Sequence, residues 1–291
     1  MVSTGLIIDQ IITGLSIGSR LFLVAVGLSL IFGVLDVLNF THGVLFMIGA
    51  YVAIVIVQSV GNFWVGLVLA AVVVGLVGLV LESGFIRRIY DRDHLDQLLL
   101  TFAFVLILTD VVRFIFGSGS NVIRPPAPFT FDITFAQGVG IPSYRAFVIA
   151  MSIVVMGALF AVLKTTNIGR VVRATSSDRE MARLLGINVP RLYTGVFVVG
   201  SALAGIGGAF AAPLQAVTPE LGNQVIINAF VVVVIGGLGS FTGAFVGAYL
   251  IGLMIAVGSV IVSGAGQLFP FVAMILVLLF KPEGLFGGAD T

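Results

Sequence analysis

Two histidines, two lysines and no cysteine leave little in this 291-residue chain with which to do catalysis. His42 and His94 lie too far apart for the HExxH pair of a zinc protease, and without cysteine there is neither a disulfide nor a thiolate metal ligand. Neither lysine can sit in a nucleotide-binding P-loop, because Leu163 precedes Lys164 and Phe280 precedes Lys281 where that loop demands glycine. "GLSIG", Gly14 to Gly18, spells G-x-S-x-G around Ser16, but a nucleophile elbow needs a strand before it, and here the surroundings are one apolar helix. No catalytic residue, metal or cofactor is expected. What remains are polar residues in apolar surroundings: Asp36, Asn39 and His42 in "DVLNFTHG", and a charged stretch beginning at Lys164. At membrane depth a polar group needs a partner or water, so "DVLNFTHG" either lines a cavity or makes a polar turn between two helices.

The elements that position these residues follow from composition. The chain is 59% hydrophobic and 9% charged, against about 25% charged in a soluble domain. Apolar stretches of about 20 residues recur along it, the length that crosses a bilayer core as a helix. "VGLVLAAVVVGLVGLVLESG" lacks the alternation of a barrel strand. The fold class is therefore all-α: a polytopic transmembrane bundle with candidate spans at 11–34, 42–60, 63–84, 97–117, 145–163, 191–212, 223–239, 241–261 and 268–281. That is about nine spans, eight to ten being possible where segments are short, broken or re-entrant. Residues 1–291 read as a single transmembrane domain. A net charge of +1 with no long basic tract argues against nucleic acid, and the N-terminus has no basic region before its apolar stretch, unlike a cleaved signal peptide.

Nine of the 14 basic residues fall in two connections: Arg87, Arg88 and Arg92, then Lys164, Arg170, Arg173, Arg179, Arg183 and Arg191. The positive-inside rule places both in the cytoplasm. The Pro-rich loop from Gly117 to Tyr144 must then lie outside, the C-terminus inside and the N-terminus outside, although Asp9 and Arg20 give little topological signal. Small residues recur at every fourth position, as in Gly14 and Gly18, Gly200 to Ala212, and Ala244 to Ala256, the spacing that packs helices closely within a bundle. Asp110 and Arg113, three residues apart, should neutralise each other. "NFTHGVLFMIGAY" and "SFTGAFVGAY" echo each other faintly.

Within the charged loop, 164–191, Ser177 and Glu180 have the S-x-x-E form of a capping box, Gly186 can end a helix and Pro190 follows. A short amphipathic helix over 177–186 is expected, with Met181, Leu184 and Leu185 on one face. It would lie on lipid headgroups or dock a cytoplasmic partner.

Here a family resemblance enters. "EMARLLG", Glu180 to Gly186, resembles the E-A-A-x-x-x-G coupling motif of ABC importer permeases at Glu180, Ala182 and Gly186, with Met181 for the first alanine. "LNFTHGVLFMIGAYVA" and "GRVVRATSSDREMARLLGINVPRL" are similar to blocks of the branched-chain amino acid permease family, through Asn39, Phe40, His42 and Gly43, and through Gly169, Arg170, Arg173, Ala174 and Leu184 to Asn188. "VVVVIGGLGSFTGAFVGA" resembles that family's glycine-rich turn. The resemblance spans nearly the whole chain and implies a multi-pass subunit of the cell membrane. It also implies cytoplasmic ATP-binding subunits, a second permease subunit, identical or homologous, and an extracytoplasmic binding protein. On it, Glu180, Met181, Ala182, Leu184, Leu185 and Gly186 couple to the ATPase, and Asn39, His42 and Gly43 belong to the translocation path. Branched-chain or other small amino acids are the implied cargo. Urea, amides or sugars, and an autonomous channel or secondary carrier, are the alternatives.

Overall fold

The structure, a computed structural model, describes residues 4–135, 139–262 and 264–287. Every expected span appears as a helix: α1 Thr4–Leu35, α2 Thr41–Val60, α3 Phe63–Gly84, α4 His94–Phe116, α5 Ser143–Thr165, α8 Val189–Ala211, α9 Leu221–Gly236, α10 Phe241–Ile261 and α11 Phe269–Phe280, with α6 Asn167–Ser177 and α7 Arg179–Leu184 in the charged loop. Seven are long and apolar enough to cross a membrane; α9 and α11 are shorter. At 1.5 Å per residue the 16 residues of α9 reach about 24 Å, less than a bilayer core of about 30 Å. Against the expected 223–239, α9 stops three residues early, at Gly236, where a glycine turn replaces the last helical turn.

The first helix is the most enclosed and α5 the least. Small residues let α1 lie directly on α10: a methyl added to Gly14 would fall 2.8 Å from the Leu253 Cα, and one on Gly18 2.8 Å from the Tyr249 Cα. The spacing of small residues is thus spent inside the bundle, where van der Waals packing drives association. Asn62 caps α3 by accepting from the amides of Trp64 and Val65, which makes α2 and α3 a tight hairpin.

Charge gathers at one end of the bundle. There the carboxylate of Glu82, fully buried, accepts from Arg87 at 2.8 Å and from the Tyr90 hydroxyl at 2.8 Å, while Arg87 donates to Thr194 at the start of α8. The bond to Glu82 raises the pKa of Arg87, and burial beside Glu82 raises that of Tyr90. The opposite end is aromatic: Trp64 packs 5.5 Å from Phe147, Phe63 lies 5.9 Å from Tyr144, and the Tyr144 hydroxyl donates to the Phe210 carbonyl. The end that gathers Arg87, Arg179 and their neighbours is the one the positive-inside rule assigns to the cytoplasm, and the aromatic end is called the outer end. At the outer end the 117–142 connection is not structureless. Strands β1 Asp132–Phe135 and β2 Val139–Pro142 pair antiparallel, a short 3-10 turn covers Ala127–Phe129, and Asn121 exchanges two backbone bonds of 2.9 Å with Val217. Ile133 and Thr134, both β-branched, suit the strand that the sequence reading took for open loop. Arg113 pairs with Asp110 as expected and also with Glu220 at 3.0 Å, which lowers the carboxyl pKa of Glu220.

Candidate coupling and translocation sites

The charged loop folds as two helices, where the sequence suggested one. Ser177 ends α6, its hydroxyl donating back to the Arg173 carbonyl, and Asp178 caps α7 by accepting from the Met181 amide at 2.8 Å. The capping box at Ser177 is therefore corrected to an Asp178 cap, and Glu180 is an exposed first-turn residue. The reason is local. Thr166 already caps α6 by accepting from the Gly169 amide, so Ser177 comes at the end of a helix begun eleven residues earlier. The far end matches expectation: Gly186 sits at φ +83, its amide donates to Arg183 and the Ile187 amide to Ala182, the paired bonds of a glycine-terminated helix.

Arg179 holds α7 to the bundle. It pairs with Asp91 at 3.2 Å, in the turn between α3 and α4, and lies over the Tyr193 ring of α8. Ala182 is buried underneath. Met181, Leu184 and Leu185 point away from the bundle, at 52%, 82% and 73% exposure. Three uncovered apolar side chains on a helix pinned by a charge are an arrangement for a further surface, not for this chain's own core.

The second group stands at a break. Asp36 takes a left-handed conformation, φ +55, and the chain turns back into the bundle through residues 37–40 before α2 begins at Thr41. Thr101, seven residues into α4, accepts from the Thr41 hydroxyl at its carbonyl and donates its own hydroxyl toward Leu38. Asn39 caps the turn by accepting from the Thr41 amide at 3.1 Å. His42 is fully buried against bare backbone: a methyl added to Gly27 would meet both the imidazole Nε2 and the Gly200 carbonyl at 2.6 Å. One on Gly43 would collide with the Gly222 carbonyl and stand 2.6 Å from the Ile226 Cβ. The structure thus brings Asn39, His42 and Gly43 together at one helix break, with α1, α8 and α9 closed over them. Asp36, at the entrance, lies 3.9 Å from His94 and opens on a cleft of about 1280 Å³, which Tyr90, Arg173, Arg179 and Tyr193 also line.

A third polar site escaped the sequence reading. In the outer half, Arg20 of α1 faces a cavity of about 490 Å³ that also holds Gln215, Gln224, Asn228 and Gln267. A lone arginine inside an apolar span was the signal that could have found it.

A helical bundle with long apolar helices, a basic end and an uncovered apolar helix there defines the class as a multi-pass membrane protein. The chain matches the family described as branched-chain amino acid transport system / permease component over residues 10–280, and it belongs to that family. BraD of Pseudomonas aeruginosa, a high-affinity branched-chain amino acid transport system permease protein, is 30% identical over 98% of this chain and 97% of its own. LivH of Escherichia coli, of the same description, is 29% identical over 98% of this chain and 96% of its own. LivM of Salmonella typhimurium, another such permease protein, is 28% identical over 90% of this chain and 67% of its own. No solved structure matches. The chain is a permease component of an importer, located in the cell membrane, as the resemblance drawn from its three sequence blocks implied.

Proposed function

We propose that this chain forms half of the translocation path of an ABC importer for branched-chain or other small amino acids. In this reading residues 1–291 are one permease domain and 164–191 its coupling loop. Separate cytoplasmic ATPase subunits drive it, a second permease subunit completes the path, and an extracytoplasmic binding protein delivers solute to the outer end. The cargo class rests on the printed descriptions of BraD and LivH. Two permeases of different length, LivH and LivM, resemble this chain, which favours a homologous second subunit.

The observation that carries the mechanism is α7. Met181, Leu184 and Leu185 are exposed at the basic end while Arg179 and Ala182 fix the helix to the bundle, so a groove on a motor subunit can grip the apolar face and move the helix. Arg179 pairs with Asp91 in the turn before α4, and His94, the first residue of α4, lies 3.9 Å from Asp36, three residues before Asn39. Movement of α7 therefore bears on the break that holds Asn39, His42 and Gly43, where two helices end and reorientation is least costly.

The test is reconstitution. The chain with its ATPase and second permease should take up labelled leucine only with ATP, with hydrolysis stimulated by solute-loaded binding protein. Accumulation by liposomes holding this chain alone, driven by an ion gradient, would replace the reading with a secondary carrier. ATP-driven uptake of urea or a sugar, but no amino acid, would keep the importer and change its cargo.

A further inference from the structure

We infer that Arg20, with the amide side chains around it, is a station on the translocation path that holds the carboxylate of the passing solute. The inference rests on the importer reading above and adds the residue that recognises the charged end of the cargo.

Arg20 stands 15 residues before Leu35, the inner end of α1, which at 1.5 Å per residue puts it about 22 Å up the helix, within the reach of a bilayer core of about 30 Å. A guanidinium at that depth is costly unless it is paired or hydrated. Among the described residues no carboxylate lies within ion-pair distance of it. Its protein partners are the Ser16 carbonyl at 3.3 Å and the Gln215 side-chain oxygen at 2.8 Å. Of five N–H donors, two are used in these bonds, which leaves three for a ligand in the cavity that Arg20 lines. Its neighbour Arg145 is engaged by Asp9 and Thr13 and so does not compete for an incoming anion.

The cavity itself matches a solute with one anionic end and an apolar body. Arg20 is the single charged residue on its wall; Gln224, Asn228 and Gln267 offer amide donors and acceptors, and Leu21, Val225, Ile255 and Phe271 offer hydrocarbon. It also opens at the surface of the chain. Gln224 and Ile227 of α9 are exposed and Asn228 is half-buried. A row of amides on a membrane helix faces an aqueous path or another subunit, since lipid leaves its hydrogen bonds unmade. Two hydrogen bonds hold the guanidinium in place, so a carboxylate arriving from the outer end meets donors that are already oriented.

A phospholipid phosphate is also an oxyanion, and the test separates the two. The chain has no native cysteine, so Ile227→Cys on the cavity wall gives one reporter thiol in the assembled transporter in phosphatidylcholine vesicles. Its labelling by an anionic thiosulfonate, the sulfonatoethyl reagent, is compared with the cationic trimethylammonioethyl reagent. Adding Arg20→Gln should lower the anionic-to-cationic rate ratio about tenfold, the Coulomb effect of one charge a few ångströms away in a partly screened site. Arg20→Lys should keep most of it. L-leucine should slow labelling with Arg20 or Lys at position 20 but not with Gln, and L-leucinamide, without a carboxylate, should not slow it at all. Co-purification of the ATPase shows that each variant has assembled.

An unchanged rate ratio in Arg20→Gln overturns the inference, as does leucine import without leucine protection. Labelling slowed by added phosphatidylglycerol but not by leucine assigns the site to lipid and overturns it too. A complex that transports no amino acid refutes the cargo reading alone; protection is then measured with isovalerate, and its failure overturns the carboxylate site.

Discussion

The break at Asn39–His42 and the island of α6 and α7 are both polar interruptions of an apolar chain, and they are built inside out with respect to one another. At the break the polar groups are inward and the backbone of α1, α8 and α9 closes on them without side chains in between. In the island the polar groups do the fastening, through Arg179 and the Asp178 cap, and the apolar side chains are turned out. The first arrangement is packed tightly against this chain's own backbone, so changing it should damage folding. The second leaves its apolar surface unspent, so changing it should damage assembly and spare the fold.

The largest effect is expected at the break. Gly27→Leu would drive side-chain atoms into the Gly200 carbonyl and the fully buried His42 ring, both already 2.6 Å from an added methyl, and the first of them is backbone that cannot swing aside. Overpacking of this kind costs about 3 kcal/mol, and the variant should lose its monodisperse peak and melt early in detergent even without partners. Wild-type melting with wild-type uptake would mean that the closed packing at His42 is dispensable, and the contrast between the two regions would fail.

Next comes the apolar face of α7. Leu185→Asp alters a side chain 73% exposed, and a surface change of this kind shifts stability by about 0.5 kcal/mol or less. The isolated permease should melt as before, while co-purification of the ATPase and stimulated hydrolysis fall together. Gly186→Val adds strain of about 1 kcal/mol at a positive φ and should do the same more weakly. If both variants assemble and hydrolyse ATP normally, α7 is a lipid-surface helix and a topological anchor.

Much of this was legible beforehand, for physical reasons that differ by residue. Membrane helices announce themselves by hydropathy because no other chain element satisfies its backbone in lipid. Gly186 was legible because a left-handed helix end has few alternatives to glycine. The cap was misplaced because Ser177 and Asp178 are both good caps, and only the extent of α6, set by Thr166 and by the packing of Gly169 against Leu163, decides between them. Burial of His42 depends on Gly27 and Gly200, whose approach no local pattern encodes. Arg20 stood in the sequence as a lone charge in an apolar span, yet its meaning lies in Gln215, 195 residues away, and in there being no carboxylate within ion-pair distance among the described residues. Spacing reveals what a segment can form by itself; pairings across the bundle reveal which polar group is sealed and which is left to bind.

The smallest expected effect separates the two candidate caps and sharpens the contrast within the island. Asp178 accepts from the Met181 amide at 2.8 Å, whereas the Ser177 hydroxyl is turned back to the Arg173 carbonyl at 3.0 Å. Removing an N-cap costs about 1 kcal/mol, and α7 has six residues over which to absorb it. Asp178→Ala should therefore fray the helix, speed amide exchange over Arg179–Leu184 and weaken ATPase binding about fivefold, the affinity equivalent of that cost. Ser177→Ala should leave exchange in α7 and binding as they are, since its bond belongs to the last turn of α6. Because neither residue contacts the bundle interior, the melting temperature of the permease alone should stay constant in both. A larger loss in Ser177→Ala than in Asp178→Ala would restore the capping box suggested by S-x-x-E, and with it a single helix from 177 to 186 as the element that meets the motor.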